Sequence, residues 1–461
     1  MSHHPIESPR RPRELDPPSS RGRRFARRAR QAGGYLALAA AAGSLWAICT
    51  DHRPGPDVVV FELMTPGSYI NTDPAPVRAY ALGTKSLNQG DKDLKWFQNV
   101  NEHPVIGQNL YRLKTDAERP GGRFEQVGMS WLKHGFTALT GTDAGCTCTF
   151  ELGHSGGAYL GQGCTDPYTQ SLNGDRSRLG PRYQVNAATG FYNYPYDNSG
   201  TVDDETDRRL QVADADMDPA KNVGARYFAE GQYVTPDDAA AGNAFNNASF
   251  REVVVTNPTT RAIGYIGSGD FATTQIGLPA LAAWPLIDAS VVLESADIFA
   301  DGRLHLAAKA HDLGGGLWRY EYAIHNLTSH RSVQRVEIAV PPGSALSNAG
   351  FHDVDYHSGE PYSNADWTID ADGPNGHVAW FGETQAVDAN ANALRWGTTY
   401  NFWFDSDQPP GTGAVALTLF RAPGAGEPVG FSVQLPVPGG TGLFSDDFER
   451  GTDSAWDLKA P

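Results

Sequence analysis

Short apolar runs broken by Gly, Pro, Asn and Asp recur along almost the whole chain, and this punctuation limits the fold more than any other feature. From Asp57 onward the runs lie at Val58–Phe61, Val77–Tyr80, Val105–Leu113, Phe124–Leu139, Val253–Val255 and Ala262–Ile266. They continue at Val333–Val340, Val378–Phe381, Thr399–Phe404, Val415–Phe420 and Phe431–Leu435. Apolar runs bounded by turn formers read as strands of an antiparallel architecture. In Trp318-Arg-Tyr-Glu-Tyr-Ala-Ile-His325 the alternation is explicit. Trp318, Tyr320, Tyr322 and Ile324 share one face and Arg319, Glu321 and His325 the other, the period of a half-buried strand. With 51 Gly and 31 Pro among 461 residues, turns are favoured over long helices.

The predicted fold is all-β, in two mainly antiparallel β-regions joined near residues 270–290. Residues 57–280 form a β-rich domain with long loops. Residues 289–436 hold about seven or eight strands, the number of a β-sandwich or jelly-roll-like domain. The stretches 141–190 and 203–218 are too long for hairpin turns and read as functional loops or covers. Residues 437–461 read as a Pro/Gly linker and a short tail.

The first 30 residues carry nine arginines and three acids, and the uncharged run Tyr35–Ile48 follows that stretch. A basic segment, a short apolar segment and small residues near Ala42, Ser44 and Ala47 predict a secretory signal cleaved around residues 44–50. The apolar run falls short of the roughly 20 residues that span a bilayer comfortably. Membrane attachment is therefore expected only through this segment, if it stays uncleaved. The expected location is secreted, periplasmic or cell-surface.

The whole chain has a net charge of −16. Without the first 50 residues, 28 basic groups face 50 acidic ones, a net −22. Such a body repels phosphate backbones, which argues against nucleic acid and favours cations as partners. A divalent metal, calcium, copper or zinc, is the expected cofactor, and no nucleotide cofactor is expected.

Cys146, Cys148 and Cys164 lie in one Gly-rich loop, and Cys49 precedes it. Export predicts a disulfide from Cys164 to Cys146 or Cys148, with one thiol left over. With His154, the same cysteines also offer the ligand types of a zinc or copper site.

Five segments, His103–Arg112, Gly128–Phe136, Tyr227–Val234, Gly350–His357 and Asn392–Thr398, resemble a group of hypothetical secreted bacterial proteins seen in planctomycetes and proteobacteria. The resemblance implies export and a shared fold. It carries no assigned activity and no catalytic residues.

Four constellations carry chemistry. If Phe351-His-Asp-Val-Asp-Tyr-His357 is extended, Asp353, Asp355 and His357 project from one face, with neighbours on that face about 7 Å apart. They are predicted to share one cation, with His352 as a further donor and His325 or His330 arriving from another strand. His103 and His134 are a second candidate pair of metal ligands. Asp214, Asp216 and Asp218 form D-x-D-x-D, a spacing that can wrap calcium. Pro219 and Ala225 occupy positions where an EF-hand needs Gly and Glu, so any calcium loop here is of another kind. Gly153-His-Ser-Gly-Gly157 matches the nucleophile elbow of hydrolases, without the surrounding strand–helix pattern.

Together these features predict an exported cell-surface or extracellular β-protein that binds or supports a cell-surface or matrix polymer. The alternative is a secreted copper- or zinc-dependent oxidoreductase or hydrolase. No catalytic residue can be assigned.

Overall fold

The computed structural model describes residues 52–70, 76–135, 137–142, 144–199, 204–356, 358–422, 424 and 427–439. The predicted signal segment, Cys49, most of the tail and His357 lie outside the described residues.

The first part of the chain forms β1 (Val58–Ser68), β2 (Val77–Asn88), β3 (Leu94–Lys95), β4 (Val105–Lys114), β5 (Arg123–Met129), β6 (Leu132–His134), β7 (Tyr159–Leu160) and β8 (Thr165–Tyr168). It continues with β9 (Leu179–Gly180), β10 (Val185–Asn186), β11 (Phe191–Tyr192), β12 (Leu210–Ala213), β13 (Arg226–Val234), β14 (Ala248–Asn257) and β15 (Ala262–Tyr265). Eleven of these build one large sheet in the order β1-β2-β12-β5-β4-β13-β14-β15, with β6, β8 and β9 branching from it, while β3 with β7 and β10 with β11 form separate two-stranded sheets. Strand β1 packs against β14 and β15, so the sheet is nearly closed like a barrel. Its interior is filled by Leu63, Tyr80, Leu82, Trp96, Ile106, Leu110, Tyr233 and their neighbours.

The second part forms β16 (Val292–Asp297), β17 (Arg303–Gly314), β18 (Leu317–Asn326), β19 (Val333–Ala339) and β20 (Leu346–His352). It ends with β21 (Thr368–Asp372), β22 (His377–Phe381), β23 (Thr398–Ser406), β24 (Pro410–Leu419) and β25 (Gly430–Pro438). Two five-stranded antiparallel sheets result, β16-β17-β18-β23-β20 and β21-β22-β19-β24-β25. Tyr320, Tyr322, Phe402 and Phe404 from the first pack with Val336, Ile338, Trp380 and Leu417 from the second in one sandwich-like core. The molecule is thus all-β, and among the described residues the longest helix is the six-residue Pro236–Ala241. None of these helices is long and apolar enough to cross a membrane. Strand β25 runs through Pro438, with Val437 paired to Gly411, so the linker read into the sequence from Val437 is in fact the end of a strand.

The alternation of Trp318–His325 has a second meaning. Tyr320, Tyr322 and Ile324 enter the sandwich core as predicted. The polar face, expected to meet water, is only 3%, 1% and 0% exposed at Arg319, Glu321 and His325. It packs on the outside of the barrel. Arg123 of β5 donates two hydrogen bonds to Glu321, at 2.6 and 2.8 Å, and its guanidinium lies 3.3 Å from the Trp403 ring centre. Arg319 binds Asp405 and reaches Glu321 at 3.3 Å. Gln126 accepts from Thr399 N at 2.6 Å, and Asn401 donates to Phe124 O at 2.8 Å. Such charged groups are buried because each is paired and hydrogen-bonded.

Candidate functional site

The segment Asp93–His103 organises one rim of the barrel. Strand β3 is fixed by pairing with β7, Leu94 opposite Leu160 and Lys95 opposite Tyr159. Beyond it, Trp96–Val100 faces Thr137, Gly157 and Ala158 across a cleft of about 330 Å³. Trp96 is buried, whereas Gln98, Asn99 and Val100 are exposed. Phe97 meets Tyr159 edge to face, with ring centres 5.2 Å apart.

On one side of this segment the structure brings His103 and His134 together. His103 Nε2 and His134 Nδ1 are 3.0 Å apart, and His103 Nδ1 lies 3.1 Å from Phe97 O. A carbonyl only accepts, so His103 Nδ1 carries the proton and its Nε2 accepts from His134 Nδ1–H. His134 Nε2 is left as a bare acceptor, buried and without a hydrogen-bond partner among the described residues. Burial pushes both imidazoles below their usual range, and for His134 the neighbouring His103 and Lys133 push further down. Both rings are therefore neutral at pH 7. Tyr196 stacks on His134 at 3.6 Å, and Gly180 leaves room for the ring, because a Cβ there would stand 2.7 Å from His134 Nε2.

On the other side lies a group that the spacing of the chain does not announce. Asp93 Oδ2 is 2.9 Å from His154 Nδ1 and accepts from Glu151 N at 3.0 Å. Glu151 accepts from Asp93 N at 3.3 Å and pairs with Lys92 at 3.1 Å. That lysine contact, followed by the Asp93 amide, holds the Glu151 carboxyl below its usual range. His154 lies flat on Tyr159, ring centres 3.7 Å apart. Asp93, Glu151 and His154 each place one ligand atom within 4.8 Å of the others.

Cys164 bonds Cys148, and no free cysteine occurs among the described residues. The leftover thiol expected from the sequence is therefore corrected, as is the Cys146, Cys148, His154, Cys164 ligand set, whose sulfurs are spent. The Cys148–Cys164 loop spans 16 residues. Replacing both cysteines by alanine is expected to lower the unfolding free energy by about 3 kcal/mol, read from the urea midpoint.

The other sequence candidates are placed apart. Strand β20 stops at His352, whose Nε2 lies 3.2 Å from Gln126 O in the barrel–sandwich seam. Asp353 accepts from Asn392, and burial, relieved in part by that bond, pushes its carboxyl up to about 7. Asp355 is exposed, and His357, their predicted partner, lies outside the described residues. His325 binds Thr399 Oγ1 at 2.9 Å, and His330 N donates to Asp301 at 3.1 Å. Asp214, Asp216 and Asp218 do not gather as one ligand group, because arginines occupy them. Asp214 pairs with Arg78 and Arg261, Asp216 with Arg112 at 2.8 Å, and Asp218 with Arg261 at 3.4 Å. Ser155 of the elbow-like motif sits exposed in an irregular loop that leads into the two-residue β7, where an elbow requires a helix.

No protein-family model matches the chain, and no curated protein matches it.

Proposed function

We propose that this is an exported binding or structural protein of the cell surface, and that the cleft beside Trp96–Val100 engages a cell-surface or matrix polymer. The carrying observation is the cleft's composition. Exposed amides at Gln98 and Asn99 stand beside the partly exposed Phe97 ring, which Tyr159 meets edge to face, on a rim held by β3, β7 and the His103–His134 bond. A few placed polar groups among apolar surface are what a binding site requires. Elsewhere the charged groups of the barrel–sandwich seam are committed to each other. Export rests on the arginine-rich and apolar segments of the first 50 residues. The metal-dependent enzyme reading draws its support from the bare Nε2 of His134.

The test is co-sedimentation with insoluble envelope or matrix polymer from the host, using protein recovered outside the cell and shown by mass analysis to lack the arginine segment. Wild type should pellet, and the double variant Phe97→Ala/Asn99→Ala should lose about tenfold or more of its affinity while its circular dichroism is unchanged. Failure of the wild type to pellet, or equal pelleting by the variant, overturns the reading.

A further inference from the structure

We infer that Asp93, Glu151 and His154 form a site for a divalent cation of the zinc class. This inference is independent of the polymer reading.

Three observations carry it. The donor set is two carboxylates and one imidazole whose ligand atoms lie within 4.8 Å of one another, and it is the one such group of three among the described residues. Bringing these spacings, 2.9 Å between Asp93 Oδ2 and His154 Nδ1 and at most 4.8 Å for the set, to the roughly 3.3 Å of a tetrahedral site with metal–ligand bonds near 2.0–2.1 Å needs only small side-chain turns. The second observation is the Asp93 side chain, only 1% exposed, with Oδ1 lacking any hydrogen-bond partner among the described residues. A buried carboxylate oxygen without a donor is costly, and a bound cation removes that cost. The third is access. Glu151 and His154 are partly exposed, so an ion reaches the group from solvent without opening the barrel.

The chemistry selects the ion. Calcium takes six to eight oxygen ligands, whereas an imidazole beside two carboxylates suits zinc and its first-row neighbours. The sulfurs of Cys148 and Cys164 are bonded to each other and cannot compete. Stacking on Tyr159 holds the plane of the His154 ring, as positioned metal ligands require. Lys92 now holds one oxygen of Glu151, but with 56% of its side chain exposed it yields readily to a divalent ion. Asp93 leads into β3, and Glu151 lies three residues from Cys148. The ion would therefore staple the Gly-rich loop to the barrel rim.

Isothermal titration of the chelator-treated full chain with zinc, and separately with calcium, tests the inference. Zinc should bind with a single equivalent and more tightly than calcium. Glu151→Gln and His154→Gln should each weaken zinc binding at least about tenfold, with unchanged circular dichroism, because both positions are partly exposed. Lys92→Gln removes the competitor and should strengthen binding about two- to fivefold. Absence of zinc binding, wild-type affinity in both ligand variants, weaker binding in Lys92→Gln, or preference for calcium would each overturn it.

Discussion

Replacing Glu321 by alanine is expected to lower the unfolding free energy by about 3–5 kcal/mol. The loss is large because Glu321 is 1% exposed and holds two arginines of the barrel–sandwich seam, Arg123 by two hydrogen bonds and Arg319 at 3.3 Å. Burial raises the Glu321 carboxyl above its usual range although both arginines pull it down. Desolvation is therefore the larger effect, and the pair's value lies in leaving no charge uncompensated. Removing the acid strands the buried Arg123 guanidinium, both of whose hydrogen bonds go to Glu321, while Arg319 keeps Asp405. The double variant Glu321→Ala/Arg123→Ala should cost less than the sum of the single changes, since the stranded charge leaves with its partner. Urea midpoints at constant slope would show both effects. A loss under about 1 kcal/mol for Glu321→Ala would mean that the seam tolerates an unpaired charge.

Asp166→Asn is expected to stabilise the protein at alkaline pH and to leave it nearly unchanged in acid. Asp166 is fully buried in β8; Leu139 N donates to its Oδ1 at 2.5 Å, and Oδ2 has no partner among the described residues. Burial pushes the carboxyl up from 3.8 to about 7, against the lowering effect of that single amide. Below about pH 4 the folded and unfolded chains both hold the proton. Between about pH 4 and 7 only the folded chain holds it, so the stability from this group is lost as pH rises and stays lost above 7. Three pH units correspond to as much as about 4 kcal/mol. Asparagine keeps the acceptor for Leu139 and carries no charge at any pH. Its advantage over wild type should therefore be near zero at pH 4 and greatest at pH 8, measured by urea unfolding at both. An equal difference at the two pH values would show that the Asp166 proton is not linked to folding.

The strand pattern was legible because it is local. Tyr320, Tyr322 and Ile324 alternate into a core as their spacing demands. What the alternation could not reveal is that the opposite face is buried too, since a polar side chain facing water and one facing a paired charge look alike in a single strand. Arg123 and Glu321 are 198 residues apart, and nothing near either one names the other. The same limit applies to the candidate cation site. His154 was visible beside its cysteines, but Asp93 and Glu151 are 58 residues apart and meet only where β3 pairs with β7. The D-x-D-x-D spacing was a local signal of the opposite kind. It suggested convergence on one ion, whereas arginines from distant segments take the three carboxylates: Arg261 lies between Asp214 and Asp218, Arg78 also holds Asp214, and Arg112 holds Asp216.

The seam between barrel and sandwich also bears on how the chain assembles. Surfaces rich in Leu or Val would be adhesive before they met, and incompletely assembled chains would stick to one another through them. The mating faces here set Arg123, Gln126, Arg319, Glu321, Asn401 and Asp405, which water solvates well, beside smaller apolar patches in which Trp396 meets Val105 and Leu132, and Val354 meets Met129. Pairing of the two halves is thereby made selective, because only the matching set of charges repays the loss of that water.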